Sequence, residues 1–122
     1  MKKIYIIILL FSLYQTYLIA QDTKCNDLIY LVKNNGTFKS QVDPYSLNTS
    51  EWLHRVTAYE YNNSIFVIAE IKREDFLPKD MYIFCGIPLN NWNNFHNPWS
   101  DISKSYGEKF NIFIIDYICN CK

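Results

Sequence analysis

The chain has 122 residues, and its 12 basic and 12 acidic side chains give a formal net charge of zero. This length suits one domain, and the balanced charge provides no basic surface of the kind that phosphate contacts require. Nucleic-acid binding is therefore disfavoured.

The first 20 residues have the order of a secretory signal peptide. Lys2 and Lys3 precede the apolar run Ile4–Leu13, and a short segment then ends at Ala20. The apolar run is shorter than the roughly 20 residues of a membrane-spanning helix. An uncleaved anchor is the alternative, whereas a lipoprotein is disfavoured because polar residues precede Cys25. We expect residues 1–20 to be removed and the mature chain to begin at Gln21.

Cleavage changes both the length and the charge of the chain. Residues 21–122 form a 102-residue domain with ten basic and twelve acidic side chains, which gives a net charge of −2. We expect an exported protein, periplasmic or secreted, that has no membrane segment after cleavage and does not bind nucleic acid.

All four cysteines, Cys25, Cys85, Cys119 and Cys121, lie in the mature part. An even number of cysteines in an exported chain predicts disulfides. A Cys119–Cys121 bridge would close a very small, strained ring. One of these two cysteines is thus expected to pair with Cys25 and the other with Cys85. A metal site is the disfavoured alternative, because only one cysteine pair is closely spaced.

Residues 21–49 predict one helix and a connector. The apolar residues within Asp27–Lys33 suit one side of a short helix, and Asn34-Asn35-Gly36 is typical of a helix end. The stretch Thr37–Ser50 lacks a strong period and predicts an extended connector across the surface.

The next segment predicts three strands. Trp52–Ile71 is β-rich on both sides of the turn cluster Asn62-Asn63-Ser64, which indicates a hairpin. A charged connection, Lys72–Asp80, leads to a third strand, Met81–Cys85. We predict an α+β fold in which a three-stranded antiparallel meander packs with an N-terminal helix and two or three C-terminal helices.

The C-terminal part predicts helices of uneven quality. Pro88 suits a first helical turn, and Trp92 and Phe95 would share a face of that helix. Asn97-Pro98 ends it. Phe110–Ile118 is almost wholly apolar, so periodicity does not separate a buried helix from a strand, and we favour a helix.

The part Tyr82 to Ile114 contains the string Tyr82-Ile83-Phe84-Cys85-Gly86-Ile87-Pro88, then Trp92 and Phe95, and then Ser105, Gly107, Phe110, Asn111 and Ile114. With these residues it resembles the KTSC domain family, which is named for similarity to a C-terminal part of lysyl-tRNA synthetase. The resemblance implies a KTSC-like domain over residues 50–122 and a helix after Gly107. It implies no established chemistry.

Two departures from the family pattern bear on function. Ile115 stands where members often have a basic residue, which weakens the association with RNA that the family name suggests. The cysteine set is the second departure, and it suits an oxidising compartment.

Candidate binding residues follow from the same stretch. Tyr82 and Phe84 alternate on one strand and would share a sheet face. Trp52, Trp92 and Trp99, together with the many tyrosines, could form a stacking platform for sugar or peptide, and of these tryptophans Trp92 and Trp99 are the candidate binding residues. Asn111 is the fifth candidate. Structural roles are expected for Gly86, Pro88, Ser105, Gly107 and Phe110, with Gly86 and Pro88 at the strand-to-helix corner and Gly107 in a close or left-handed turn.

No catalytic set is assembled by the sequence pattern. A cysteine hydrolase would need Cys85 as a thiolate beside His54 or His96, and a disulfide at Cys85 would abolish it. We predict no enzyme activity, no cofactor and no metal. The expected function is a non-catalytic binding module with a possible protein partner. The alternative is an envelope immunity or inhibitor protein directed against a toxin or hydrolase.

Overall fold

A computed structural model describes residues 24–73 and 80–121. The predicted signal peptide and most of the charged connection before Asp80 lie outside these residues. In chain order the elements are α1 (24–35), β1 (Thr37–Val42), β2 (Leu53–Tyr61), β3 (Ser64–Ile71), β4 (Asp80–Phe84), α2 (Leu89–His96), α3 (Tyr106–Phe113) and a 3-10 turn, η1 (Ile115–Tyr117). Within the described ranges, no helix has the length and apolar content needed to cross a membrane.

The strands form one antiparallel sheet in the order β1-β2-β3-β4. The α+β class is confirmed, but the prediction of three strands and an extended connector is wrong at Thr37–Val42. This segment is an edge strand that pairs with β2, with Val42 opposite Val56. Val42 is the one fully buried residue of β1. The strand therefore lacks the hydrophobic alternation that identifies a half-buried strand in a sequence.

The predicted hairpin is confirmed. β2 pairs with β3 from Leu53 opposite Ile71 to Tyr61 opposite Ser64, and Asn62 and Asn63 form the turn. Their φ angles, 51° and 61°, lie in the left-handed region. Asparagine tolerates this region better than most residues, and two-residue hairpin turns of this kind match the twist of the strands.

One face of the sheet is covered by α1. Ile29 and Val32 of this helix pack with Ile68 of β3 and Ile83 of β4 in a small buried cluster. The predicted N-terminal helix is therefore present, and it uses the apolar side that the sequence indicated.

The opposite face carries the main core beneath α2 and α3. Trp92 and Phe95 of α2 are fully buried, and Phe110 of α3 lies edge-on to both Phe84 and Phe95, with ring centroids 5.2 and 5.6 Å apart. Edge-to-face contacts at this distance add to the stabilisation from burial. Phe110 thus joins the sheet to both helices.

Two disulfides close the fold. Cys25 of α1 is bonded to Cys121, and Cys85 after β4 is bonded to Cys119. The presence of disulfides is confirmed. Of the two pairings that the sequence left open, the structure has the one that joins the N-terminal helix to the last cysteine. The C-terminal segment is therefore attached both to α1 and to the end of β4.

The apolar run Phe110–Ile118 adopts three conformations. It finishes α3, passes through η1 and ends in an antiparallel bridge between Ile118 and Phe84. The predicted helix therefore holds for its first part only. The last residues of the run are extended, because the backbone of residues 117–119 forms hydrogen bonds with the sheet edge at Ile83 and Cys85.

Candidate functional site

An apolar groove opens on the face of the sheet that α2 and α3 cover, at the edge formed by β4. Its volume is about 300 Å³. The side chains that line it are all aromatic or aliphatic: Trp52, Ile71, Tyr82, Phe84, Phe110, Ile115 and Ile118. We call this surface the apolar groove.

Alternation along β4 places two of the predicted binding residues in the apolar groove. Tyr82 and Phe84 lie on the same face of the strand, as the period of two requires. Phe84 is buried at the base, whereas Tyr82 is 47% exposed. The two candidates therefore have different roles, since only Tyr82 offers a large surface to a ligand.

The C-terminal segment forms one wall of the apolar groove. Ile118, which is 59% exposed, lies opposite Phe84 in the bridge. The bridge is held by a hydrogen bond from the Cys85 N–H to the Tyr117 carbonyl oxygen at 2.8 Å, and by a bond from the Cys119 N–H to the Ile83 carbonyl oxygen at 3.1 Å. The Cys85–Cys119 disulfide crosses the same pair of segments. The wall is therefore fixed before any ligand arrives.

Trp52 forms the opposite wall of the groove. Its indole ring lies edge-on to Phe110, with the ring centroids 5.3 Å apart. The indole also lies against the first turn of α3, where a Cβ atom on Gly107 would be 2.7 Å from Trp52 Nε1. The sequence predicts a close or left-handed turn at Gly107, but the residue lies in α3 and its φ is not in the left-handed region; its lack of a Cβ instead leaves room for this indole.

A second, polar pocket of about 320 Å³ lies on the other side of Trp52. Its lining residues, apart from Trp52, are small or polar: Thr49, Ser50, Glu51, Ser105, Gly107, Glu108 and Asn111. We call it the acidic pocket, because its lining contains two carboxylates and no lysine or arginine among the described residues. Asn111, a predicted binding residue, is exposed here.

Ser105 explains how the acidic pocket is shaped. It is the N-cap of α3: its hydroxyl oxygen accepts a hydrogen bond from the Glu108 N–H at 3.2 Å, and its hydroxyl also bonds the Glu108 carboxylate at 3.3 Å. A serine cap followed three residues later by glutamate is a recognised way to satisfy the free N–H groups at a helix start. The cap holds Glu108 at the mouth of the pocket.

A third pocket, of about 230 Å³, surrounds a buried lysine between the loops before β2 and α3. Lys109 is only 3% exposed, and its ammonium donates hydrogen bonds to the carbonyl oxygens of Asn97 (3.1 Å) and Ser100 (3.4 Å). It also lies 4.6 Å from the centroid of the Tyr106 ring. Burial lowers the pKa of Lys109. These contacts satisfy the ammonium, so Lys109 serves to attach the loop after α2 to α3.

The tryptophans predicted as a stacking platform are not brought together. Trp92 is a core residue with no exposed surface, and its Nε1 atom donates a 2.8 Å hydrogen bond to Ser40 Oγ. It is unavailable to a ligand because α2 packs it onto the sheet. Trp99 is 83% exposed in the loop after α2 and lines none of the three pockets.

The remaining motif residues have structural positions. Gly86 has a φ of 62° at the corner after β4, and Pro88 is the N-cap of α2. The left-handed backbone at Gly86 costs little because glycine has no Cβ. The corner prediction is thus confirmed, and Pro88 lies one position before the helix.

The residues considered for catalysis do not form a site. All four cysteines of the chain are in disulfides, so Cys85 carries no thiolate. His96 stacks on Trp92, with ring centroids 5.1 Å apart, and burial together with the charges of Lys39 and Lys109 lowers its pKa. In the described part of the chain, no group of three or more potential ligand side chains is placed to hold a metal ion.

Sequence reasoning missed Ile115, Ile118 and the two glutamates Glu51 and Glu108. The isoleucines lie in a run where nearly every residue is apolar, which hides the exposed ones. The glutamates are separated by 57 positions, and charged surface residues are too common to stand out. The Ser105-to-Glu108 spacing was the one available signal, and it identifies a helix start rather than a pocket.

Comparison with known proteins adds no family. No protein-family model matches the chain, and neither the curated proteins nor the solved structures give a significant match. The resemblance to KTSC domains therefore rests on the motif residues alone.

Proposed function

We propose that this chain is a small, exported, KTSC-like binding module that works by docking a protein segment in the apolar groove. The observation that carries the proposal is the groove itself: Tyr82, Ile115 and Ile118 are 47%, 38% and 59% exposed around a lining that is aromatic and aliphatic throughout. A contiguous exposed apolar surface on a small domain is typical of an interaction site.

Preorganisation supports this role. Trp52, Phe84 and Phe110 hold one another through edge-on ring contacts, and the Cys85–Cys119 disulfide attaches the Ile118 wall. A rigid groove loses little conformational entropy when a ligand binds, so more of the interaction energy appears as affinity. An exported domain of about 100 residues also benefits from two disulfides, because its core is small.

Binding without catalysis is favoured by the state of the reactive groups. Cys85 is bonded to Cys119, and His96 packs on Trp92 rather than beside a nucleophile. In the part of the chain that the structure describes, the groove lining makes hydrophobic contacts and holds no titratable acid–base pair. The export proposal rests on residues 1–20 and on the disulfides, which suit an oxidising compartment.

A retention experiment with matched variants tests the proposal. Immobilised residues 21–122, with both disulfides formed, are incubated with native envelope extract or culture supernatant, and retained proteins are identified. The groove variant is Ile118→Asp. The control is Trp99→Asp, because Trp99 is also an exposed apolar side chain, more so than Ile118, but lies outside the groove. Circular dichroism verifies that both variants fold.

The expected result is a protein that the wild type and the Trp99 variant retain and the Ile118 variant loses. If the Ile118→Asp variant retains the partner as well as the wild type does, docking in the groove is contradicted. If the retained partner is a toxin or hydrolase whose activity the domain blocks, the immunity or inhibitor function is supported. Turnover of peptide, ester or peptidoglycan substrates by the pure domain would contradict the non-catalytic role.

A further inference from the structure

The apolar groove and the acidic pocket adjoin each other on the two sides of Trp52. They share Trp52, and their other linings meet at the adjacent positions Phe110 and Asn111 of α3. Any chain that crosses the Trp52 indole passes from an aromatic and aliphatic lining to one that contains Glu51 and Glu108.

The carboxylates of the acidic pocket have no cationic neighbour in its lining. Glu51 and Glu108 are exposed, and among the described residues the Glu108 carboxylate is bonded only to the neutral cap Ser105. Lys72 lies beneath the same turn, but its ammonium is bound to the carbonyl oxygens of Leu47 and Ser50 and does not line the pocket. Among the described residues, the lining at this end of the surface therefore has two formal negative charges and no positive one, while Lys104, which pairs with Asp101, lines the neighbouring pocket.

Charge complementarity selects the occupant. We propose that the partner is a polypeptide segment that places an apolar side chain in the apolar groove and a nearby lysine or arginine side chain in the acidic pocket, on the two sides of Trp52. This inference rests on the proposed function and specifies its partner. Positive groups that meet a negative patch add specificity and speed to association.

The same charges disfavour two other occupants. A second copy docked so that the two acidic pockets face each other would bring two sets of Glu51 and Glu108 close together, and like charges across an interface repel. An anionic membrane surface would be repelled in the same way, because negatively charged lipids attract basic rather than acidic protein surfaces.

Asn111 adds a reason to expect a polypeptide rather than another apolar cation. Its side chain is exposed in the acidic pocket and makes no hydrogen bond within the described ranges. An amide offers both a donor and an acceptor, which is what an extended backbone requires. The surface thus offers three kinds of contact to a peptide: apolar contacts in the groove, a backbone hydrogen bond at Asn111, and charge pairing at Glu51 and Glu108.

The test titrates four synthetic peptides into the isotope-labelled domain, residues 21–122, and follows chemical shifts by NMR. The peptides have one length and neutral capped ends. Three of them carry a Leu-Ile pair next to Lys-Lys, Gln-Gln or Glu-Glu, and the fourth carries Ser-Ser next to Lys-Lys. Each peptide is made in two versions, which differ in which of the two pairs comes first. The Trp52 indole N–H signal and the amide signals of residues 107–118 report occupancy.

We expect the apolar–basic peptide to bind most tightly, by about three- to tenfold over the apolar–neutral one, as exposed charge pairs allow. The apolar–acidic peptide should bind most weakly. The advantage should disappear in about 0.5 M salt, where exposed charges are screened. It should also disappear in a Glu51→Gln/Glu108→Gln variant, in which glutamine preserves the α3 cap. An Asp27→Asn/Glu60→Gln variant makes the same charge change elsewhere and should retain the advantage.

The outcomes separate the two proposals. Equal affinity for the basic and neutral peptides, or an advantage that survives the glutamine changes, overturns this inference and leaves docking in the groove intact. If no peptide moves the groove signals, both proposals are overturned. A concentration-dependent dimer in sedimentation that shifts the same signals would identify a second copy as the occupant, and binding to phosphatidylcholine vesicles through these residues would identify a lipid.

Discussion

The indole Nε1 atom of Trp52 lies 2.7 Å from the position that a Cβ atom on Gly107 would occupy. This contact couples the turn before β2 to the first turn of α3, and it builds the wall between the apolar groove and the acidic pocket. A sequence distance of 55 residues separates the two partners.

Gly107→Ala is therefore expected to destabilise the domain although alanine is the better helix former. The gain in helix propensity is at most about 1 kcal/mol, whereas overpacking typically costs about 1–3 kcal/mol. We expect a net loss of about 1 kcal/mol in urea unfolding, with a change in tryptophan fluorescence. Asn111→Ala, at an exposed position of the same helix, should instead stabilise by about 0.5 kcal/mol. A stabilised Gly107→Ala variant would mean that Trp52 moves freely.

The same substitution should destabilise the domain much more at the tryptophan of α2 than at the tryptophan of the following loop. Trp92→Phe removes buried volume and the Nε1 hydrogen bond to Ser40 Oγ, so the free energy of unfolding should fall by about 2 kcal/mol. Trp99→Phe alters an exposed side chain and should change it by less than about 0.5 kcal/mol. Urea unfolding midpoints measure both. Equal effects would contradict the positions assigned to the two rings.

The two disulfides should contribute unequal stabilities. The Cys85–Cys119 bridge spans a sequence separation of 34 and the Cys25–Cys121 bridge one of 96. In the chain-entropy account, removal of the first costs about 4 kcal/mol and removal of the second about 5 kcal/mol. Paired cysteine-to-alanine variants in urea unfolding test this order. The reverse order would show that the start of α1 opens before the whole domain unfolds.

Acidification should destabilise the domain through His96. Burial against Trp92 and nearby lysine charges lower the pKa of His96 below the ordinary value of about 6.5. The unfolded chain then binds a proton more readily than the folded one, so the free energy of unfolding falls as pH drops through about 6.5 and levels off below the folded-state pKa.

The free energy of unfolding of the wild type and of His96→Asn is compared across this pH range. The variant should lack the fall in stability on acidification that His96 causes. His54→Asn retains His96 and should retain its contribution. If the wild type instead gains stability relative to His96→Asn on acidification, the indole ring of Trp92 stabilises the imidazolium cation more than burial disfavours it.

Local signals predicted a large part of the fold. Asn62 and Asn63 specify their own turn because asparagine tolerates the left-handed region, and Gly86 specifies the corner for a similar reason. The helix-forming side of 27–33 was visible in its apolar spacing. By contrast, β1 was missed because its pairing with β2 depends on backbone hydrogen bonds that any polar sequence can make.

The site was predicted only in fragments. Tyr82 and Phe84 were identified because strand alternation is a local property, and both line the apolar groove. The prediction of Trp92 as a binding residue was wrong, because the sequence of a short helix does not show which of its faces will pack against the sheet. Ile115 and Ile118 were missed because α3 ends within a run that is apolar on all sides.

By itself, the sequence determined the α+β class, the hairpin, the Gly86 corner and the need for cysteine pairing, since these depend on neighbouring residues and on composition. Only the tertiary structure decided which cysteines are bonded, which aromatics are buried, and that Trp52 stands between an apolar groove and two carboxylates. These features join residues far apart in the chain. Their positions follow from how the sheet, α3 and the C-terminal segment pack together, which no local pattern records.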